Sequence, residues 1–275
     1  MTSWRENPLL RRELIYRLRP LPSQRTLFLM VVALCLLAVA LAYWAGLDIF
    51  VRYRGQQAYR DLLIITLVVE TLLVCAGAPA ATANAVSRER EQRTWDLLTI
   101  TLLNPHEIVL GKLVGRALPL LLVLVLGLPM KLLCLIGDYR LAPGMLLGTL
   151  SVLVTLALYT TGGLVASCLS QKTVTATALS YLFAGVWVIG TVILFGLTNL
   201  LVSGWTSPEP GLFWVALNPL AVIEPTMTKY TPSPYSPSND ALHTLSPWLL
   251  LGTYGALTVF LVWLLIATYR RWAYR

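Results

Sequence analysis

The chain has 275 residues, of which 57% are hydrophobic and only 12% are charged, and its mean hydropathy is +0.70. Soluble domains carry about 25% charged residues, so this composition excludes an ordinary soluble protein and indicates an integral membrane protein. The net charge of +8 does not indicate a nucleic-acid partner, because the Lys and Arg residues stand in short runs beside apolar segments.

The N-terminal arm, residues 1–25, carries six arginines and two glutamates. Asn7 can cap a helix that starts at Pro8, a position where proline loses no hydrogen bond. Leucines recur on one face of this helix, at Leu10, Leu14 and Leu18. The arm is therefore either an amphipathic elbow helix with its arginines on anionic headgroups, or a solvated basic tail. We do not expect a cleaved secretory signal, whose basic head is shorter.

Long apolar segments fill most of the remaining chain. A helix that crosses hydrocarbon needs about 20 apolar residues. Six segments reach that length, at about 27–46, 62–85, 113–137, 143–169, 174–197 and 247–268. The sequence therefore predicts an all-α, polytopic membrane protein with six transmembrane helices, and residues 1–275 are expected to form a single membrane domain.

The distribution of basic residues predicts the orientation of these spans. Six crossings place both termini on one side of the membrane, together with segment 87–112. That side carries fifteen Lys and Arg residues, against six on the other. The positive-inside bias therefore predicts cytoplasmic termini in a multi-pass protein of the cell membrane, although Arg52, Arg54 and Arg60 run against the trend.

The outer segment 198–246 precedes the last predicted span. Within it, Gly211–Ile223 is too apolar to lie in water and too short to cross the bilayer, and Asn218-Pro219 interrupts it. We expect short helices that enter the outer leaflet and return, which is tolerated where protein supplies the backbone partners.

The segment Ser87–Lys112 is the main polar interruption of the chain. The second span is expected to continue as a helix through Ser87–Glu91, whose alternating charges suit water. Thr94 can then cap a short helix that ends at Leu103, with Asp96 favourably placed in its first turn. The apolar side of this helix carries Trp95, Leu97 and Leu98.

A capping box follows this short helix. Asn104 is the predicted cap, Pro105 the first helical residue and Glu107 the third residue beyond the cap, so the chain restarts here into the third span. The short helix thus lies laterally between two spans. Such a helix either rests on lipid or docks into a groove of a soluble partner.

The segment contains several short motifs, namely Glu89-Arg90-Glu91, Thr94-Trp95-Asp96-Leu97-Leu98, Thr101, Pro105, Glu107-Ile108 and Leu110-Gly111-Lys112. Together they resemble the first cytoplasmic loop of ABC-2 type transporter permeases, the membrane subunits of ABC exporters with the type V fold. Arg93 stands where that family usually has Gly, and Leu102 where it has Pro. Asn7-Pro8 is similarly placed to the start of the family's elbow helix.

The resemblance implies a permease subunit that pairs with a second permease, identical or different, and exports a substrate. A separate cytoplasmic ATPase would bind ATP and Mg²⁺ and receive the coupling helix. The residues implied in this coupling are Glu89, Arg90, Glu91, Thr94, Trp95, Asp96, Leu97, Leu98, Asn104, Pro105 and Glu107. The alternative is an ATP-independent assembly or scaffold protein whose amphipathic loop binds membrane lipid.

Two charged residues lie deep in predicted spans, Glu70 and Lys131. Counted from Asp61 and Asp138, both fall about 10–13 Å below the outer end of neighbouring helices, a depth that permits an ion pair. A charge in hydrocarbon is costly and usually faces an interior, so Glu70 could line the conduit or transmit its closure. The alternatives are a static pair, or a lysine that reaches outward to the interface.

Nothing else in the sequence indicates catalysis. Leu110-Gly111-Lys112-Leu113 lacks the first glycine and the hydroxyl residue of a phosphate-binding loop, so we expect no ATP hydrolysis and no bound cofactor on this chain. The two histidines have no acidic partner nearby. The four cysteines lie in separate apolar runs without metal-ligand spacing, and they are expected to be reduced and either lipid-facing or packed between helices.

Overall fold

The computed structural model of the chain describes residues 56–92, 105–202, 212–223, 226–227 and 240–273, together with residues 40, 43 and 44. Its helices, in chain order, are α1 (Gln56–Thr82), α2 (Ser87–Glu91), α3 (Pro105–Gly137), α4 (Ala142–Leu169), α5 (Thr173–Val202), α6 (Leu212–Ala216) and α7 (Asp240–Ala273). A 3-10 turn, Tyr139–Leu141, joins α3 to α4. No β-strand occurs in these ranges, so the all-α prediction is confirmed for this part of the chain.

Five helical segments of the described chain are long and apolar enough to cross a membrane. They are Gln57–Glu91, His106–Gly137, Tyr139–Leu169, Thr173–Leu201 and Pro247–Thr268. The protein is therefore a multi-pass, helical membrane protein, and these segments contain the second to sixth predicted spans. Of the first predicted span, only the helical residues Ala40, Tyr43 and Trp44 are described.

The spans form a helical bundle with α1 and α4 at its centre, and these two helices run parallel, since Gly148 lies beside Leu67 and Gly163 beside Thr82. Both pack on each other and on α3 and α5, while α7 packs mainly on α4. The main core contains fully buried side chains from several helices, including Leu63, Leu67, Leu158 and Tyr254. Close contact depends on Gly148 of α4, since a side chain there would lie 2.6 Å from Leu67. The outward face of α5 is rich in exposed Leu, Ile and Val, and α7 exposes Trp248, Val259, Phe260 and Trp263, as expected for surfaces in contact with hydrocarbon.

A second apolar cluster closes the end of the bundle where α1 ends and α3 begins. Val86, Val109, Leu164 and Leu265 are buried in it. We refer to this end as the loop end, because segment 93–104 connects its helices.

Helix α3 contains Pro119 and Pro129 without a break. Beside Pro129, the hydroxyl of Tyr43 donates to the Leu126 carbonyl and accepts from the Met130 N–H, both at 3.1 Å. A side-chain hydroxyl thus bridges two backbone groups that are four residues apart, a known way to accommodate a distorted helix. Tyr43 packs against the core, whereas Trp44 is exposed.

The outer segment packs deeply between α5 and α7. Asn218 donates from Nδ2 to the Val188 carbonyl at 3.0 Å and to Thr191 Oγ1 at 2.8 Å. Its Oδ1 accepts from the Leu220 and Ala221 N–H groups, which turns the chain after α6. Val188 lies midway along α5, so Asn218 sits about 20 Å from the C-terminal end of that helix.

The structure contradicts one expectation from the sequence, and several others concern residues that it does not describe. The predicted continuous helix from the second span into Ser87–Glu91 is wrong, because α1 ends at Thr82 and a turn at 83–86 precedes α2. The side-chain contacts that stabilise this turn are described below. The elbow arm 1–25, the short helix Thr94–Leu103 and residues 203–211 and 228–239 of the outer segment lie outside the described residues.

Candidate functional site at the loop end

The break after α1 leaves backbone carbonyls that cannot bond within the helix. Arg116 Nη1 donates to the Ala81 carbonyl at 3.0 Å and to Asn84 Oδ1 at 2.9 Å. Lys112 Nζ donates to the Ala85 carbonyl at 3.0 Å. Cations at the carbonyl end of a helix are favourable for its dipole, so two side chains of α3 stabilise the end of α1.

Lys112 also forms an ion pair with Glu89 of α2. The lysine side chain is 0% exposed, whereas the Glu89 side chain is 22% exposed. A buried ammonium group is costly unless it is paired and hydrogen-bonded, and Lys112 meets both conditions through Glu89 and the Ala85 carbonyl. Glu89 is thereby held against α3. The alternating charges around it in the sequence had suggested that it would face only water.

Ser167 stabilises the N–H groups of the same turn. Its hydroxyl accepts from the Val86 N–H at 2.8 Å and from the Ser87 N–H at 3.0 Å. Both Ser167 and Ser87 are 0% exposed, so water cannot replace this acceptor. At the turn, α3 therefore satisfies the Ala85 carbonyl and α4 satisfies the Val86 and Ser87 N–H groups, and these contacts stabilise the break in the helix.

The next two charged residues connect α2 to the ends of α4 and α5. Arg90 Nη1 donates to the Cys168 carbonyl at 2.8 Å, in the last turn of α4. Glu91 Oε1 accepts from the Thr173 N–H at 2.8 Å and from Thr173 Oγ1 at 3.3 Å, at the first residue of α5. Arg90 thus satisfies a carbonyl at the C-terminal end of α4, and Glu91 satisfies an N–H at the N-terminal end of α5. Each charge is opposite in sign to the partial charge of the helix dipole at that end, which is favourable.

The structure therefore brings together three of the residues predicted to act in coupling, Glu89, Arg90 and Glu91. Pro105 is the first residue of α3, as predicted, and Glu107 is half-buried in its first turn. The remaining members of that set lie outside the described residues, namely Thr94, Trp95, Asp96, Leu97, Leu98 and Asn104.

Several residues of this site were missed by the sequence analysis. Lys112 and Arg116 lie four residues apart, hence on one face of α3, and this spacing was the available signal. Ser167 and Thr173 gave no signal, because their role depends on contacts with residues about 80 positions away.

A second polar site lies inside the bundle. Lys131 Nζ lies 2.6 Å from Glu70 Oε2 and 3.3 Å from Thr149 Oγ1, so the group joins α1, α3 and α4. The side chains of Lys131 and Glu70 are 1% and 4% exposed. The geometry is that of a buried ion pair, and Lys131 does not reach outward to the interface.

Gly127 of α3 makes room for this pair. A Cβ at that position would overlap Glu70 Oε1. That oxygen is buried and has no hydrogen-bond partner within the described ranges. The pair is therefore compact and has no net charge, and one carboxylate oxygen, Glu70 Oε1, accepts no hydrogen bond within the described ranges.

The described residues include no group of three or more His, Cys, Asp or Glu side chains that could hold a metal ion. Cys75 and Cys134 are free thiols. No protein-family model and no curated protein matches the chain.

Proposed function

We propose that the chain is the membrane-spanning permease subunit of an ATP-binding cassette exporter of the ABC-2 type. One observation carries the proposal: three consecutive residues of the family-like motif each bond to a different helix. Glu89 pairs with α3, Arg90 bonds to the end of α4 and Glu91 bonds to the start of α5. A displacement of segment 93–104 would therefore reach three spans directly.

In this proposal, segment 93–104 carries the coupling helix, and a cytoplasmic ATPase subunit receives it. ATP and Mg²⁺ bind to that partner, and closure of the ATPases shifts the permease between inward- and outward-facing states. The buried contacts of Lys112 support this role, because they fix α3 to both the turn at 83–86 and α2, so that α2 and α3 move together.

The proposed topology has six spans, with Tyr43 and Trp44 in the first. The protein lies in the inner or plasma membrane of the cell, and both of its termini are in the cytoplasm. The depth of Asn218 alongside α5 supports a re-entrant outer segment. The elbow helix remains part of the proposal from the sequence pattern of residues 1–25. A second permease subunit, identical or different, completes the conduit, and membrane lipid covers the remaining apolar faces.

The Glu70–Lys131 pair has a proposed role in holding the conduit closed. Its three helices α1, α3 and α4 separate only if the pair opens or moves, and an opened pair needs water around both charges. A water-filled conduit provides that environment, whereas hydrocarbon does not.

Affinity purification of the tagged full chain from its native membranes tests the proposal. We expect an ATPase with a phosphate-binding loop to co-purify in about equal amount, and the complex to hydrolyse ATP. A chain that purifies without any ATPase, in a detergent that keeps it folded, would contradict the proposal. If a peptide of segment 93–104 also bound lipid vesicles, the alternative function, an ATP-independent scaffold protein, would then be favoured.

A further inference from the structure

The two helices that carry the Glu70–Lys131 pair each contain a proline between the loop end and the charged residue. In α1, Pro79 lies between Glu70 and the loop end. In α3, which starts at the loop end, Pro129 precedes Lys131. Proline has no N–H group and its ring crowds the preceding turn, so each helix loses a backbone hydrogen bond there and can bend. We call these two positions the proline hinges.

The hydroxyl of Tyr43 bonds to α3 at its hinge. It donates to the Leu126 carbonyl, three residues before the proline, and accepts from the Met130 N–H, the residue after the proline, both at 3.1 Å. Gly127 and Lys131 follow these two residues directly in the sequence. Tyr43 therefore fixes the stretch of backbone that makes room for the glutamate of the pair and carries its lysine.

The hydroxyl of Tyr181 on α5 has the same place at the hinge of α1. It donates to the Ala76 carbonyl at 2.9 Å, again three residues before the proline. Tyr181 is 43% exposed, and hydrocarbon offers a hydroxyl no other partner, so this bond is costly to lose. Because the N–H of Thr173, the first residue of α5, donates to Glu91, α5 connects the loop end to this hinge.

We propose that Tyr43 and Tyr181 are positioning residues that hold the two proline hinges closed. While both hydroxyls are bonded, α1 and α3 keep Glu70 in contact with Lys131. A movement of the loop end that shifts α5 breaks the Tyr181 bond, so that α1 bends at its hinge and the pair opens. Loss of the Tyr43 bond frees α3 in the same way. The inference rests on the proposed export function, since it names the regulation of the closed conduit.

The reactivity of Lys131 toward acetic anhydride measures the opening of the pair. The full chain is purified in lipid nanodiscs without the ATPase, and acetylation of each lysine is quantified by mass spectrometry. The Lys131 side chain is 1% exposed, so it reacts only when the pair opens. Lys112 of the same helix is 0% exposed and lies on the other side of the hinge, so it reports general unfolding.

Three tyrosine variants give the comparison. Tyr43→Phe and Tyr181→Phe each remove one hydroxyl from a hinge and keep the ring. Tyr254→Phe is the matched control, because the Tyr254 hydroxyl also donates to a backbone carbonyl, that of Leu217 at 2.8 Å, but on neither α1 nor α3.

We expect Tyr43→Phe and Tyr181→Phe each to raise the acetylation rate of Lys131 about two- to tenfold, the effect of one hydrogen bond on an opening equilibrium. The rate at Lys112 should not rise, and Tyr254→Phe should leave Lys131 unchanged. Adding Pro129→Ala to Tyr43→Phe should lower the Lys131 rate again, because alanine restores the backbone bond and removes the hinge.

Four results would overturn the inference. They are an unchanged Lys131 rate in either hinge variant, an equal rise at Lys112, an equal rise in Tyr254→Phe, and no decrease on addition of Pro129→Ala. A selective rise at Lys131 in a chain that binds no ATPase would support the hinges and overturn only the export function.

Discussion

The ammonium group of Lys112 on α3 is fully buried, and it joins the Glu89 carboxylate of α2 to the Ala85 carbonyl that follows α1. A single side chain therefore joins the turn at 83–86 to α2. The turn separates the membrane helix from the charged residues of the loop end, so its rigidity decides how far a movement of the loop is transmitted.

Glu89→Gln is expected to destabilise the protein, because it removes the charge that compensates buried Lys112. Breaking a fully buried pair costs about 3–5 kcal/mol, and the partial exposure of Glu89 reduces that cost here. The measurement is the midpoint of thermal unfolding in detergent. Arg88→Gln, at an exposed position in the same short helix, is the matched control, and equal midpoints for the two variants would contradict the prediction.

Removing either member of the Glu70–Lys131 pair is expected to cost about 3–5 kcal/mol, because a charge is left buried alone. The double variant Glu70→Met with Lys131→Met should cost less than the sum of Glu70→Met and Lys131→Met, since it leaves no charge behind. Unfolding midpoints of the four proteins give the coupling energy. Additive losses would show that the two side chains do not interact.

The same positions separate a static role from a role in transport. If the pair holds the conduit closed, Glu70→Gln and Lys131→Met should each alter the ratio of transport to ATP hydrolysis in proteoliposomes. Unchanged transport in both variants would rule out the role in transport. The ion pair of the native protein would then be a structural contact only.

Gly127→Ala is expected to destabilise the bundle by about 1–3 kcal/mol, because the new methyl group overlaps Glu70 Oε1 and forces the carboxylate away from Lys131. Gly252→Ala on α7 is the control, since a Cβ there meets no atom within 4 Å. It should be neutral or stabilising by about 0.5–1 kcal/mol. Equal effects of the two substitutions on the unfolding midpoint would refute the overlap.

Ser167→Ala is expected to loosen the turn at 83–86, because the Val86 and Ser87 N–H groups lose their acceptor at a cost of about 1–3 kcal/mol each. Ser151→Ala on the same helix is the control, since the Ser151 hydroxyl donates only to the Leu147 carbonyl of its own helix. Faster hydrogen exchange at Val86 and Ser87 in the first variant alone would support the prediction. Unchanged exchange would contradict it.

Much of the fold follows from local properties of the sequence. Uninterrupted apolar runs predict the long helices, because only a helix satisfies its own backbone in hydrocarbon. Pro105 marks the start of α3 and Asn218-Pro219 the end of the short apolar helix, since both signals act over a few residues. The possibility of a Glu70–Lys131 contact followed from equal depth in neighbouring spans.

The remaining features depend on contacts between distant residues. Ser87–Glu91 has the charge pattern of a solvated helix, and nothing local shows that Lys112 lies buried against it. The break after Thr82 depends on donors and an acceptor supplied by Arg116, Lys112 and Ser167. Hydropathy along the chain gives the length of a helix but not the side chains that meet its end.

The most direct test of the central claim is charge reversal at the two carboxylates of the loop end. Glu89→Lys with Glu91→Lys should abolish both co-purification of the ATPase and ATP-dependent transport in proteoliposomes. Arg140→Glu, an exposed charge reversal at the opposite end of α3, should leave both intact. Association and transport that survive reversal of Glu89 and Glu91, in a chain that remains folded, would contradict the coupling role and the function built on it.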